Sequence, residues 1–373
     1  MRLICSFGTR PEFIKLAPVI FELRRRGHEV RTIATGQHFD PDLSDVFFEE
    51  LQLVPDERWT LEGDQATRLG AILTQAMQRF AHADADAVLL LGDTWTVPLF
   101  ALAARAHRLP SIHLEAGLRS GNETSMEETN RKVAAVTAQL QLAPTALAEA
   151  NLLREGVEPR RVAVVGNPVL DALRLTGVAR VPVAERRGIA LTLHRASNVD
   201  DADGLAGLLD LVAELARRHG PVTFPLHPRT ADRVNAFGLG DRLRTPGLEV
   251  TKPLPYSAMI RLLASCALVV TDSGGLQEEA AWFGVPTVVM RPTTPRWEGV
   301  DVGLAEVVGL DTDRALAAAE RFMHLGTRTA LDAIDCPYGD GHTAARVADL
   351  LDRPETVELL RIEEPAVGSR IQP

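Results

Sequence analysis

The chain is poor in cysteine. Cys5, Cys266 and Cys336 are its only three, and no two stand at CxxC spacing. An odd number spread this widely is no disulfide framework, and small idle thiols in a reducing cytoplasm are the expectation. Long apolar runs are missing too. No stretch approaches the ~20 apolar residues that cross a bilayer, and the opening MRLICSFGTRPEF has too short an apolar run for a secretory signal. Positive charge is scarce: 40 Lys and Arg stand against 50 Asp and Glu, a net charge of −10. That balance argues against bulk nucleic-acid binding. An anionic ligand must then be held by locally placed Arg, Lys and helix N-termini. Short repeats and low-complexity tracts are absent as well. These absences predict a cytoplasmic globular protein that engages neither nucleic acid nor membrane. What is present is core material, 46% hydrophobic, in a 373-residue chain long enough for about two domains.

Short apolar runs alternate with longer amphipathic segments. RLICSF (2–7), EVRTIAT (29–35), AVLLLG (87–92), SIHLEA (111–116) and VAVVG (162–166) read as strands. Between them, 11–27, a stretch near 65–82, 96–107, 126–139 and 145–155 read as helices. The pattern restarts with strands at 188–194, 222–227, 267–272 and 286–290, and helices at 204–220, 255–266, 274–284 and 344–353. This βαβα order predicts an α/β protein of two Rossmann-like, doubly wound domains with a cleft between them, ligands binding at the carboxyl ends of strands. The expected division is 1–173 and 174–353, with 174–187 as linker and 354–373 returning to the first domain.

Chemistry-bearing residues gather at the strand ends. GTRPEFIK (8–15) places Gly8 at a turn, Pro11 at a helix start and Arg10 and Lys15 around free backbone N–H groups suited to an anion. Asp93 follows the strand 87–92, either as a helix N-cap or as an acid facing a ligand. Glu115 ends the strand 111–116, where a carboxylate is costly unless paired, for instance with Arg119, or functional. Glu127 and Arg131 share a helix face at i, i+4, as an ion pair or a site. Should Asp93, Glu115 and Glu127 converge, they would raise one another's pKa and suit proton transfer. In the second half His194 and His227 each follow a strand. TDSGGLQEEA (271–280) opens a helix with Ser273, Gly274 and Gly275 against a phosphate, with Glu279 one turn on, placed for a ribose diol. Arg291 and Arg296 lie in a Pro/Thr-rich loop. Walker A, GxGxxG and HExxH patterns are absent, so neither a dinucleotide cofactor nor a metal is expected.

The ordered series GTRPEFIKLAP (8–18), TGQH (35–38), GDT (92–94), HLEAGLR (113–119), EETNR (127–131), GNPVLDAL (166–173), HR (194–195), HP (227–228), TDSGGLQEEA (271–280) and GDGHTAARV (339–347) resembles the non-hydrolysing UDP-N-acetylglucosamine 2-epimerases over nearly the whole chain. The resemblance implies the GT-B arrangement, a homodimer, no cofactor and reversible conversion of UDP-GlcNAc to UDP-ManNAc. The implied route eliminates UDP to 2-acetamidoglucal and adds it back. It implies Asp93, Glu115, Glu127 and His194 as catalytic groups. Arg10, Lys15, Arg131, His227, Ser273, Gly274, Gly275, Glu279 and Arg296 are implied to hold the nucleotide sugar. Departures fall at HRASN (194–198) for the common HRREN, TGQHFDP (35–41) for TGQHREM and RPTTPRW for RDTTERP. Gln37 and Arg195 keep part of the family's allosteric set, which implies weaker, altered or absent activation by substrate. The rival readings are an epimerase of a modified UDP sugar for envelope or secondary-metabolite synthesis, a hydrolysing epimerase, a GT-B glycosyltransferase and a nucleotide-sugar-binding regulator.

Overall fold

The computed structural model describes residues 1–36 and 53–362. The chain divides into two compact units. Unit 1 holds residues 1–118, 123–168 and the chain from Thr343 onward; unit 2 holds 119–122 and 169–342.

Unit 1 contains the strands β1 (Arg2–Phe7), β2 (Glu29–Ala34), β3 (Glu57–Arg58), β4 (Ala87–Leu91), β5 (Ser111–Leu114), β6 (Leu140–Ala143) and β7 (Val162–Val164). They form one parallel sheet in the order β3-β2-β1-β4-β5-β6-β7. The central strands are near-continuous apolar runs because helices cover both faces. Alternation along β1 shows the two faces. Leu3, Cys5 and Phe7 pack with Leu16, Ile20 and Leu23 of the helix Arg10–Arg25. Ile4 points the other way, toward Ile72, Ala76 and Phe80 of Gln65–Phe80 and Phe100 of Thr96–Ala106. Strand order reverses between β1 and β4, which makes their carboxyl ends the topological switch point.

Unit 2 repeats the plan with β8 (Ile189–Thr192), β9 (Val222–Pro225), β10 (Leu248–Thr251), β11 (Leu268–Thr271), β12 (Thr287–Val289) and β13 (Ala305–Val307). The order is β10-β9-β8-β11-β12-β13, again parallel, with the switch point between β8 and β11.

The division differs from the sequence expectation at three places, the first being 119–122, which group with unit 2. It falls at Pro168–Val169, not 173–174, and a helix, Pro168–Leu175, starts there, so 174–175 are not linker. The chain also rejoins unit 1 at Thr343, earlier than 354. The reason is packing: helix Thr343–Leu351 buries Ala344, Val347, Ala348 and Leu351 in the same cluster as Leu16, Ile20 and Leu23. Among the described residues no helix is long and apolar enough to cross a membrane. All three thiols are free, and burial pushes those of Cys5 and Cys266 up to about 12.

Candidate active site

In unit 1 the acids collect at the switch point. β1 ends at Phe7, and the turn to the next helix carries Glu12 back over its own start. Glu12 Oε2 accepts from the N–H of Gly8 (2.6 Å) and Thr9 (3.0 Å), the acidic half of a capping box. Its Oε1 accepts from Thr94 Oγ1 at 2.6 Å, in the turn that follows β4. One carboxylate thus ties the two strand ends that flank the switch point. Burial pushes the Glu12 carboxyl up to about 7; the charge of Asp93 adds to this, while the three donors oppose it.

Gly92 makes the turn after β4 with φ +81, a region open to glycine. A Cβ there would lie 3.5 Å from Glu115 Oε2 and 3.8 Å from Glu12 Oε1, so both carboxylates border this residue. The Gly92 carbonyl is held from behind by the buried His113, whose Nε2 lies 2.8 Å away. Glu115 itself has φ +63; the described residues include only one other non-glycine with positive φ, Arg108. Such a backbone costs of order 1–3 kcal/mol and is typical of functional positions.

Glu115 and Asp93 each have a buried cation. Lys15 Nζ pairs with Glu115 Oε1, both side chains being almost wholly buried. Arg131 donates through Nε (3.0 Å) and Nη2 (2.7 Å) to Asp93 Oδ2, a bidentate grip on one oxygen, and through Nη1 to Glu128 at 2.5 Å. Asn130 Nδ2 holds the Asp93 carbonyl at 2.9 Å. The i, i+4 spacing singles out Glu127 as the mate of Arg131; the acid that shares Arg131 with Asp93 is Glu128, and Glu127 accepts from Ser125 Oγ at 2.5 Å at the start of helix Met126–Thr137. Lys15 lies against Glu115, and Arg119 groups with unit 2. The helix begins at Arg10, one residue ahead of the expected start at Pro11.

In unit 2 the switch point is spanned by Asp272, just past β11, and His194, just past β8. Asp272 is wholly buried. Its Oδ2 accepts from the N–H of His194 (2.9 Å), the N–H of Arg195 (2.9 Å) and Asn198 Nδ2 (3.1 Å). Its Oδ1 lies 2.9 Å from His194 Nδ1. Burial alone would raise its pKa; the His194 ring and the two backbone donors outweigh burial and hold the carboxyl below its ordinary value. Arg195 Nε donates to the Asp272 carbonyl at 3.0 Å. The His227 ring stacks beside His194 with centroids 5.2 Å apart, and His227 caps the helix Pro228–Ala236, Nδ1 accepting from the Arg229 N–H.

Next to this group, Ser273 is the N-cap of helix Gly274–Trp282. Its N–H is already bound to Thr271 Oγ1 at 2.9 Å. Arg296 donates to the buried Glu278 at 2.8 Å, and its Nη1 would lie 3.1 Å from a Cβ on Gly274. A Cβ on Gly275 would meet nothing within 4 Å. A guanidinium and a helix N-terminus thus flank the two glycines, a combination suited to a phosphate. Glu279, half-buried, sits beside Glu278 on the same helix. Gln37 lies outside the described residues. Among the described residues no three His, Cys, Asp or Glu form a group able to hold a metal ion.

Sequence reasoning missed Glu12, Glu128 and Asp272. Thr-x-x-Glu at 9–12 is a complete capping pattern, so Glu12 has a local explanation that hides its reach to Thr94. Asp272 carries the same signal as Asp93, an acid directly after a wholly apolar strand, and that signal was available.

The family model described as UDP-N-acetylglucosamine 2-epimerase matches residues 22–352. The UDP-N-acetylglucosamine 2-epimerase of Methanocaldococcus jannaschii is 32% identical over 94% of this chain and 99% of its own. Its structure in complex with UDP-GlcNAc and UDP matches with a TM-score of 0.84, at the same coverage. The UDP-2,3-diacetamido-2,3-dideoxy-D-glucuronate 2-epimerase of Pseudomonas aeruginosa is 35% identical over 94% of this chain and 99% of its own. These relatives bear out the α/β class of two Rossmann-like domains with the GT-B fold. The chain belongs to the UDP-N-acetylglucosamine 2-epimerase family.

Proposed function

We propose that this protein interconverts UDP-N-acetylglucosamine and UDP-N-acetylmannosamine by eliminating UDP and adding it back. The observation that carries the reading is the acid group of unit 1: Asp93 and Glu115, at the ends of adjacent strands, each against its own buried cation. The C2 proton of the sugar is next to neither a carbonyl nor an iminium, so abstraction needs help from C1. As the C1–O bond breaks, its electron pair leaves with UDP. A carboxylate takes the C2 proton and the C–H pair becomes the C1=C2 bond of 2-acetamidoglucal. Protonation of C2 from the opposite face and return of UDP to C1 give the epimer. Asp93 and Glu115 serve as the acid and base, Glu127 assisting. Lys15 and Arg131 hold these two acids, while Arg10, Arg296 and the helix start at Ser273–Gly275 take the diphosphate charge. Glu279 holds the ribose, and His194 and His227 act beside the diphosphate. Arg195 and Gln37 belong to what is left of a regulatory site. The protein acts as a cytoplasmic homodimer; light scattering coupled to size-exclusion chromatography checks the dimer.

The test is incubation with UDP-GlcNAc in deuterium oxide, followed by NMR. Deuterium at C2 and a UDP-ManNAc signal are expected. Free N-acetylmannosamine with UDP would mean hydrolysis, and no exchange without an acceptor would mean a glycosyltransferase or a binding protein. A second reading is favoured by the Pseudomonas relative: the same C2 chemistry on a UDP sugar with a second acetamido group and a carboxylate. Comparing kcat/KM for the two sugars decides between them.

A further inference from the structure

We propose that Asp272 is a positioning residue that fixes the His194 imidazole in one tautomer, N–H at Nδ1 and lone pair at Nε2. The proposal deepens the epimerase reading and rests on it for the role of His194.

The geometry of Asp272 divides its two oxygens cleanly. Oδ2 is saturated by backbone and amide donors: the N–H groups of His194 and Arg195 and the Asn198 amide. The Asn198 amide is itself anchored, its Nδ2 also 2.8 Å from the Met290 carbonyl. Oδ1 is buried and, among the described residues, has no partner other than the His194 ring, whose Nδ1 lies 2.9 Å away. A buried carboxylate oxygen left without a donor is costly, so the free-energy balance favours a proton on Nδ1. Donation from Nδ1 leaves the lone pair of a neutral imidazole on Nε2. Ring orientation is limited as well, because His227 stacks alongside at 5.2 Å with the planes 34° apart.

His194 thereby presents an acceptor at Nε2. When Nε2 takes a proton from an O–H of the substrate, the nitrogen lone pair forms the new N–H bond and the oxygen keeps the bonding pair. The imidazolium so formed is balanced by the Asp272 carboxylate. When UDP departs, the same N–H is a donor to its oxygen. Asp272 touches no reacting atom in this scheme; it acts through His194.

The asymmetry between the oxygens makes Asp272→Asn a clean tautomer switch. The amide oxygen must occupy the Oδ2 position, since three donors point there. The amide nitrogen then faces His194 Nδ1 and donates to it, which forces the ring proton onto Nε2. In nitrogen-15 correlation spectra the wild-type His194 should be protonated at Nδ1 in its neutral form, and in Asp272→Asn at Nε2. Turnover should fall about 10²–10⁴-fold, the range for losing a correctly placed acid/base or its tautomer. KM for UDP-GlcNAc and Kd for UDP should stay within about 3-fold. In a His194→Gln background, adding Asp272→Asn should cost no further turnover. A purely structural role would instead lower thermal stability and raise KM and Kd without moving the ring proton.

The proposal is overturned if wild-type His194 carries its neutral-form proton on Nε2. It is also overturned if the switched variant turns over within about 3-fold of wild type, or if the loss persists in full in the His194→Gln background. The wild-type spectrum, with His194 assigned by its loss in His194→Gln, needs neither Asp272→Asn nor turnover. It therefore decides the point even if Asp272→Asn fails to fold, and separately from whether the deuterium experiment upholds the epimerase reading.

Discussion

Both units use a buried carboxylate to tie together the two strands at their switch point, and the two acids are pushed in opposite directions. Glu12 joins the end of β1 to Thr94 beyond β4, and its carboxyl is raised to about 7. Asp272 joins the end of β11 to His194 beyond β8, and its carboxyl is lowered. Burial works against the charge in both. The difference lies in the neighbours: Glu12 has two backbone N–H groups and a hydroxyl with the like charge of Asp93 close by, whereas Asp272 has two backbone N–H groups, an amide and an imidazole. A buried acid beside a like charge is prepared to hold or pass a proton, and a buried acid beside an imidazole is prepared to stay charged and fix geometry.

The comparison can be broken most forcefully at Lys15. Lys15→Met leaves Glu115 charged and buried without its cation, and a loss of about 3–5 kcal/mol in unfolding free energy is expected from denaturant titration. Next is Glu12. Its raised carboxyl favours the folded state fully below the unfolded value of 4.5, and that contribution is lost as pH rises to about 7. Replacing it with Gln removes the titration. Glu12→Gln should therefore gain on the wild type between pH 4.5 and 7, by at most about 3 kcal/mol. Melting curves across that range should converge on the acid side and part on the neutral side. Parallel curves would mean that Glu12 is ionised throughout.

Asp93→Asn and Glu115→Gln sharpen the contrast in function. Each should slow epimerisation at least ~100-fold while leaving UDP binding by calorimetry nearly unchanged, because neither acid is among the groups proposed to hold UDP. Turnover close to normal in both would remove these acids from the mechanism. The smallest effect is expected at the helix start of unit 2. Gly275 has open space where a Cβ would stand, so Gly275→Ala should leave stability unchanged or raise it by under about 1 kcal/mol. It should nonetheless weaken UDP binding roughly ten-fold, since the methyl group would stand where the proposed function has a phosphate approach. Unchanged UDP affinity would move the phosphate elsewhere.

Much of the architecture was legible in the sequence. The buried strands β1, β4, β5, β8, β11 and β12 are short, mostly apolar runs, and each was placed to within a residue or two at its ends. Four strands escaped: β3, β10 and β13, which are sheet edges, and the internal β6, LQLA, which is buried throughout but only four residues long and interrupted by Gln141. An edge strand is covered less completely: β10 is LEVT with its two middle residues exposed, and β3 is two residues long. Such segments lack the apolar signal that burial imposes. The helix Thr312–Met323 was missed for a related reason. Its inward face is Ala315, Ala318, Ala319 and Phe322, correct in spacing but carried by alanines that hardly stand out. In the site, strand-end position found Asp93, Glu115 and His194. Pairing was not legible: Lys15 meets Glu115 across 100 positions, and no spacing rule reaches that far. Where helical spacing did offer a partner, at Glu127 and Arg131, the arginine took Glu128 and Asp93.

The helix Thr343–Leu351 has a consequence for biosynthesis. Leu16, Ile20 and Leu23 leave the ribosome early, yet the side chains that cover them, Val347, Ala348 and Leu351, are translated after all of unit 2. Unit 1 is begun first and completed last. A nascent chain halted at His342 would present that greasy helix face to solvent and depend on chaperones, while unit 2 already has its whole sheet.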